Sequence, residues 1–205
     1  MNDQKYRTAA WLVFIKLGTG LFMFVTGLIL VAAKNWTPAP VAVRGFILVL
    51  TAVLNFFILM RLRRLLWDRY DFHKLDILIP IVAGADIVLE ILNQCTEMAQ
   101  VLNPGEAGKI IALRILFVIV PYGAVNLVYA AGLLKLPFSE KSLLRPYAFL
   151  NLAAGIVLIS MILVLISPIF GLFLFALLLL TGVGSDVFLA LTFLRSRETE
   201  QVEFV

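Results

Sequence analysis

Long apolar runs, broken by short polar or proline-containing segments, organise the whole chain. The longest extends from Pro146 to Leu194 and holds one charged residue, Asp186. A bilayer core about 30 Å thick takes about 20 helical residues, and every backbone polar group within it must be satisfied inside the segment. The run is therefore too long for one crossing, and the Ser167, Pro168 and Gly171 cluster is read as the turn between a fifth and a sixth span. Upstream, Ile110 to Leu134 makes a fourth span, bounded by Asn103, Pro104 and Gly105 and by Lys135 and Pro137. Val41 to Met60 makes a second span after the Trp36, Thr37, Pro38, Pro40 loop. Ile77 to Cys95 makes a third that carries Asp86 and Glu90, with a long loop from Thr96 to Lys109 after it.

The first span has two readings. It starts near Thr8 and buries Lys16, or it starts at Leu17 and leaves residues 1–15 as a surface helix carrying Tyr6, Trp11 and Phe14. The interfacial reading is preferred, because a lysine stem can snorkel to the head groups from that depth. Val31, Ala32 and Ala33 also have the small-residue form of a signal-peptide cleavage site, but the run is read as a retained span.

Composition agrees with this class. Hydrophobic residues make up 62%, charged residues 15%, and the mean hydropathy is +1.02, outside the range of a soluble domain. The chain is thus read as an all-α polytopic integral membrane protein of six transmembrane helices. One cysteine, Cys95, excludes an internal disulfide framework, and one histidine, His73, leaves no pair for haem or a His-rich metal site. No cofactor or metal is expected. The net charge of +4 does not point to nucleic acid, since the basic residues flank apolar runs, where topology and anionic lipid account for them. With the N-terminus inside, twelve of the 17 basic residues fall in cytoplasmic segments and three, Lys34, Arg44 and Lys109, fall opposite, leaving out Lys16 and Arg114. That bias gives an N-in, C-in topology, with a short cytoplasmic tail at 195–205.

An internal repeat is also legible. The second span reads Val-Ala-Val-Arg44-Gly-Phe-Ile-Leu-Val-Leu and reaches Asn55; the fourth reads Ile-Ala-Leu-Arg114-Ile-Leu-Phe-Val-Ile-Val and reaches Asn126. Asp186 stands in the comparable place in the sixth, and the odd spans carry Gly20 and Gly27, Gly84, and Gly155 among small neighbours. This predicts three tandem helical hairpins, at about 8–60, 75–134 and 146–194, packed through small residues. The last hairpin, from Leu152-Ala-Ala-Gly155 through Ser167-Pro168 to Gly182-Val-Gly184, resembles the repeated hairpin of the HdeD family of small bacterial membrane proteins, and Gly20 to Arg64 resembles a looser copy. The resemblance implies six spans, a bacterial inner-membrane location and a part in acid-stress resistance, with no catalytic residues. The middle hairpin departs from it through Asp86, Glu90 and the loop that follows.

Ionisable residues inside a membrane are costly and are functional candidates by default. Asp86 and Glu90, four apart, share a helix face on which two carboxylates bind a cation or relay protons. Against this stands a structural pairing of Glu90 with Arg114, which lie at matching depths on adjacent spans; the pairing is preferred. Under the longer first span Lys16 likewise meets Asp186; otherwise Asp186 turns to Asn126, Asn55 or water. The basic segment Arg61, Arg63, Arg64 and Arg69, interleaved with Leu62, Leu65, Leu66, Trp67 and Tyr70, is either a surface for anionic head groups or a partner, or a plain helix extension. Pro80 and Pro121 are expected to interrupt the third and fourth helices. No nucleophile elbow, Walker loop or metal-binding helix is present, so an enzyme is not expected. The leading expectation is a non-enzymatic protein that acts through packing with itself, lipid or a partner complex; the alternative is a small transporter or channel component using Asp86, Glu90 and Arg114. A water-accessible cavity reaching the carboxylates separates the two.

Overall fold

A computed structural model of the protein describes residues 3–32, 37–136 and 142–202. Ala33, Lys34, Trp36, Pro137 and Lys141 lie outside the described residues, as do the side chains of Lys5 and Arg197. The helices are α1 (Asp3–Ala32), α2 (Pro38–Tyr70), α3 (Leu78–Leu102), α4 (Ala107–Arg114), α5 (Val120–Leu133), α6 (Leu144–Ser160) and α7 (Pro168–Val202). Together they give six spans long and apolar enough to cross a membrane. The fourth span joins α4 to α5 through a π-helical turn at Ile115–Ile119, and the fifth continues α6 through a 3-10 turn at Met161–Leu165. The chain is an all-α polytopic membrane protein.

Local chemistry explains several element ends. α2 begins at Pro38 and Pro40, in first-turn positions whose N–H would have no helical acceptor. It ends at Asp71, whose φ of 44° is left-handed, and Phe72 N–H then turns back to the Leu66 carbonyl at 3.2 Å. Pro121 has no N–H to give and its ring crowds the carbonyl four residues back, so the preceding turn widens and Val120 N–H reaches back to Ile115. Pro80 interrupts nothing: it lies in the first turn of α3, where its missing donor is not needed.

Four expectations are corrected by the helix lengths. α1 is one continuous helix rather than a surface helix followed by a span, and it buries Ala9, Ala10 and Val13 against the bundle. α2 runs ten residues past Met60, to Tyr70. α3 continues past Cys95 to Leu102, so most of the expected loop is helix. α7 continues past Leu194 to Val202, which makes the start of the tail helical.

Neighbouring spans pack in chain order and α7 returns to α1, closing a ring. Alternating directions place the start of α1, the end of α2, the start of α3, the end of α5, the start of α6 and the end of α7 together. The apolar core sits at this end, where Val13, Leu62, Leu65, Ile79, Leu133, Leu144 and Phe193 are wholly buried. Outward-facing side chains such as Phe46, Phe117 and Leu172 form the apolar surface that a bilayer covers. Between α5 and α6 the backbones approach closely, and a Cβ at Gly123 would meet the Gly155 carbonyl oxygen at 2.9 Å. The small-residue packing expected of the odd spans holds for Gly155 but not for Gly20 or Gly84, where a Cβ would have nothing within 4 Å.

Candidate functional site

Beyond the apolar core, all six spans turn polar side chains into one cavity of about 80 Å³. Lys16 comes from α1, Asn55 from α2, Asp86 from α3, Tyr122, Asn126 and Tyr129 from α5, Tyr147 and Asn151 from α6, and Ser185 and Asp186 from α7. Most of these positions lie about two or more helical turns inside their spans, while Tyr129 and Tyr147 lie about one turn from the end of α5 and the start of α6. A water needs roughly 10–15 Å³ of such space and two to four polar partners, so the cavity is built to hold water.

The carboxylates here are tied down. Asp86 is 8% exposed; it accepts a hydrogen bond from Asn55 Nδ2 at 2.8 Å and another from the Tyr122 hydroxyl. Lys16 Nζ meets Asp186 Oδ1 at 2.8 Å, which confirms the pairing that follows from the longer first span. Asn55, Asn126 and Asp186 line the same cavity, although Asn126 donates to the Tyr122 carbonyl at 3.1 Å and not to Asp186. Towards the core the Tyr129 and Tyr147 hydroxyls bond at 3.0 Å, and Asn151 Nδ2 bridges the Tyr147 carbonyl and Ser185 Oγ, each at 2.8 Å.

A second cluster occupies the other half of the bundle. Glu97, 3% exposed, takes Arg44 Nη1 at 2.6 Å on one oxygen and Arg114 Nη2 at 3.5 Å on the other. Arg114 Nε also donates to Asn93 Oδ1 at 2.7 Å, and Arg44 Nε to the Met23 carbonyl at 3.2 Å. The expected Glu90 and Arg114 pair is therefore corrected. Glu90 accepts instead from Asn93 Nδ2 at 3.4 Å and from the Gln94 amide, and forms no ion pair among the described residues. Arg44, counted in the sequence as an outer loop charge, is part of this cluster.

Glu90, Asn93 and Arg114 line a cavity of about 390 Å³ whose remaining wall includes Leu89, Val118, Leu158, Met161 and Phe175. Tyr122 lines this cavity and the polar one alike, with its hydroxyl on Asp86. A third cavity of about 240 Å³, between α1, α2 and α7, reaches Lys16 and Asp186 from another side. Comparison with protein-family models, with curated proteins and with solved structures finds no match to this chain.

Asp86 and Glu90 share a helix face, as their spacing requires, yet they line different cavities and have no hydrogen-bond partner in common. In the basic segment, Leu62, Leu65 and Leu66 are buried in the core, so its apolar face belongs to the bundle. Arg63 pairs with Asp76 at 3.4 Å and lies over the Trp67 ring at 5.0 Å, while Arg64 and Trp67 are exposed. Sequence reasoning missed Glu97, Asn93 and Tyr122. The signal for the first two was present: Asp86, Glu90, Asn93 and Glu97 form one stripe at steps of four, three and four.

Proposed function

We propose that the chain is a small membrane transporter, or the membrane-embedded subunit of a transport complex, with Asp86, Glu90 and Arg114 in its solute path. The observation that carries this reading is the pair of cavities meeting at Tyr122: one reaches Asp86, the other Glu90 and Arg114. Packing alone has no need of polar volume at mid-bundle, and because polar groups in hydrocarbon are costly, such a layer is by default a mark of a solute or ion path. The apolar core at the end that carries both termini closes the path on one side. By the basic-residue bias that closed side is cytoplasmic, with both termini inside, and the HdeD resemblance implies that the membrane is a bacterial inner membrane. Arg61, Arg64 and Arg69 then lie at the level of anionic head groups.

A second reading is favoured by one observation, that Lys16, Arg44 and Arg114 are each held by a carboxylate. On it the protein is a non-enzymatic scaffold of the kind the HdeD resemblance implies, acting through self-association, lipid or a partner complex. Aqueous access decides between the two. In a Cys95→Ser background, single cysteines at Asn93 and Val118 should react with a membrane-impermeant methanethiosulfonate, and one at Leu62 should not. If Asn103→Cys reacts while neither cavity position does, the transport reading is lost.

A further inference from the structure

We propose that the Glu90, Asn93 and Arg114 end of the larger cavity binds a small zwitterion with an apolar body, of which an aliphatic α-amino acid is the simplest case. The inference rests on the transport reading for its purpose, but binding is measurable apart from transport. Three features of the cavity point to this ligand class. The first is a pair of free polar atoms. Glu90 takes its two amide hydrogen bonds on Oε1, and Arg114 uses Nε and Nη2, so Glu90 Oε2 and Arg114 Nη1 have no partner among the described residues. Neither atom is fully buried, and both residues line the cavity.

The second feature is spacing. The Asn93 amide touches both groups, donating to Glu90 at 3.4 Å and accepting from Arg114 at 2.7 Å. Glu90 and Arg114 are therefore neighbours bridged by one amide, and a ligand that reaches both must carry its cationic and anionic groups close together, as an ammonium and a carboxylate on the same carbon are. The ammonium would donate to Glu90 Oε2 and the carboxylate would accept from Arg114 Nη1, a charge-assisted contact at each end.

The third feature is charge balance. Arg44 and Arg114 stand against Glu90 and Glu97, so the cluster is neutral when all four are ionised. A ligand with net charge would bring an uncompensated ion into a poorly solvated site, whereas a zwitterion leaves the balance intact. Leu89, Val118, Leu158, Met161 and Phe175 then face the ligand's body. The volume of about 390 Å³ is within the roughly 300–1,000 Å³ usual for small-molecule pockets.

The test is binding of tritiated L-leucine to the purified full chain in nanodiscs, with two competitors that keep the aliphatic body and one charge each: 3-methylbutylamine and 4-methylpentanoate. Leucine should bind, and either competitor should displace it at least about tenfold more weakly than unlabelled leucine. Glu90→Gln should weaken leucine binding by about tenfold or more, and Leu158→Trp, which fills the cavity and leaves every charge in place, should abolish it. Equal competition by the amine or by the acid overturns the inference, as does leucine binding that survives both substitutions. Absence of leucine binding in monodisperse protein overturns it too. Leucine that binds but never crosses a proteoliposome membrane would sink the transport reading and leave the site standing. A cavity open to aqueous thiol reagents that binds no leucine would sink the site and leave transport standing.

Discussion

Replacing Glu97 probes how the bundle tolerates charge in its membrane-spanning region. The carboxylate is 3% exposed and holds Arg44 at 2.6 Å and Arg114 at 3.5 Å. Glu97→Gln leaves two guanidinium groups converging on a neutral amide. Removing one partner of a buried ion pair costs about 3–5 kcal/mol, chiefly because the remaining charge is left unpaired. For a chain of about 150–250 residues each kcal/mol moves the unfolding midpoint by about 2–4 °C, so a fall of roughly 6–20 °C is expected. The assay is the monodisperse fraction remaining by gel filtration after heating the detergent-solubilised protein. Glu90→Gln is the internal control: its carboxylate has only amide partners, so the midpoint should move far less. The combination Arg44→Met, Glu97→Leu and Arg114→Met, made in the Glu90→Gln chain so that no lone carboxylate remains, removes every charge of the cluster and should recover most of the loss. The reasoning is refuted if Glu97→Gln melts no earlier than Glu90→Gln, or if the combined variant is less stable than Glu97→Gln alone.

Other expectations follow from the same geometry. Asp186→Asn strands the Lys16 ammonium that now sits 2.8 Å away, and Lys16→Met in the same chain should restore most of the folded yield; failure of that rescue would mean Asp186 is held by something else. Gly123→Ala forces a Cβ against the Gly155 carbonyl and should destabilise by about 1–3 kcal/mol in the same heating assay, whereas Gly20→Ala, with nothing within 4 Å, should be close to neutral. Tyr147→Phe removes a 3.0 Å bond to Tyr129 and should cost about 1 kcal/mol, read as a small shift in the melting midpoint. For orientation, Asn103→Cys in a Cys95→Ser background should label in intact cells with an impermeant reagent and Lys135→Cys should not; the reverse pattern would invert the topology.

The number of crossings and the helical class were legible in the apolar runs, because a segment in hydrocarbon must satisfy its own backbone and so declares itself by length. Proline positions gave the approximate breaks, and the pairing of Lys16 with Asp186 could be stated from matching depth once α1 was allowed its full length. Partner choice at the other cluster could not. Depth along α3 was measured from Cys95, but the helix continues to Leu102, and seven residues at 1.5 Å each displace that reference by about 10 Å. The shift exchanges Glu90 for Glu97 as the partner of Arg114 and frees Glu90 to face a cavity. Tyr122, Tyr129, Tyr147 and Asn151 carried no signal of their own, since an isolated tyrosine or asparagine in an apolar run is equally compatible with lipid, core or cavity. The sequence by itself determined which segments cross the membrane and where polar residues fall along them, because the first depends on the length of an apolar run and the second on local spacing. Only the tertiary structure decided which polar faces meet, because that depends on where each helix ends and how the ring rotates it, which no single span encodes.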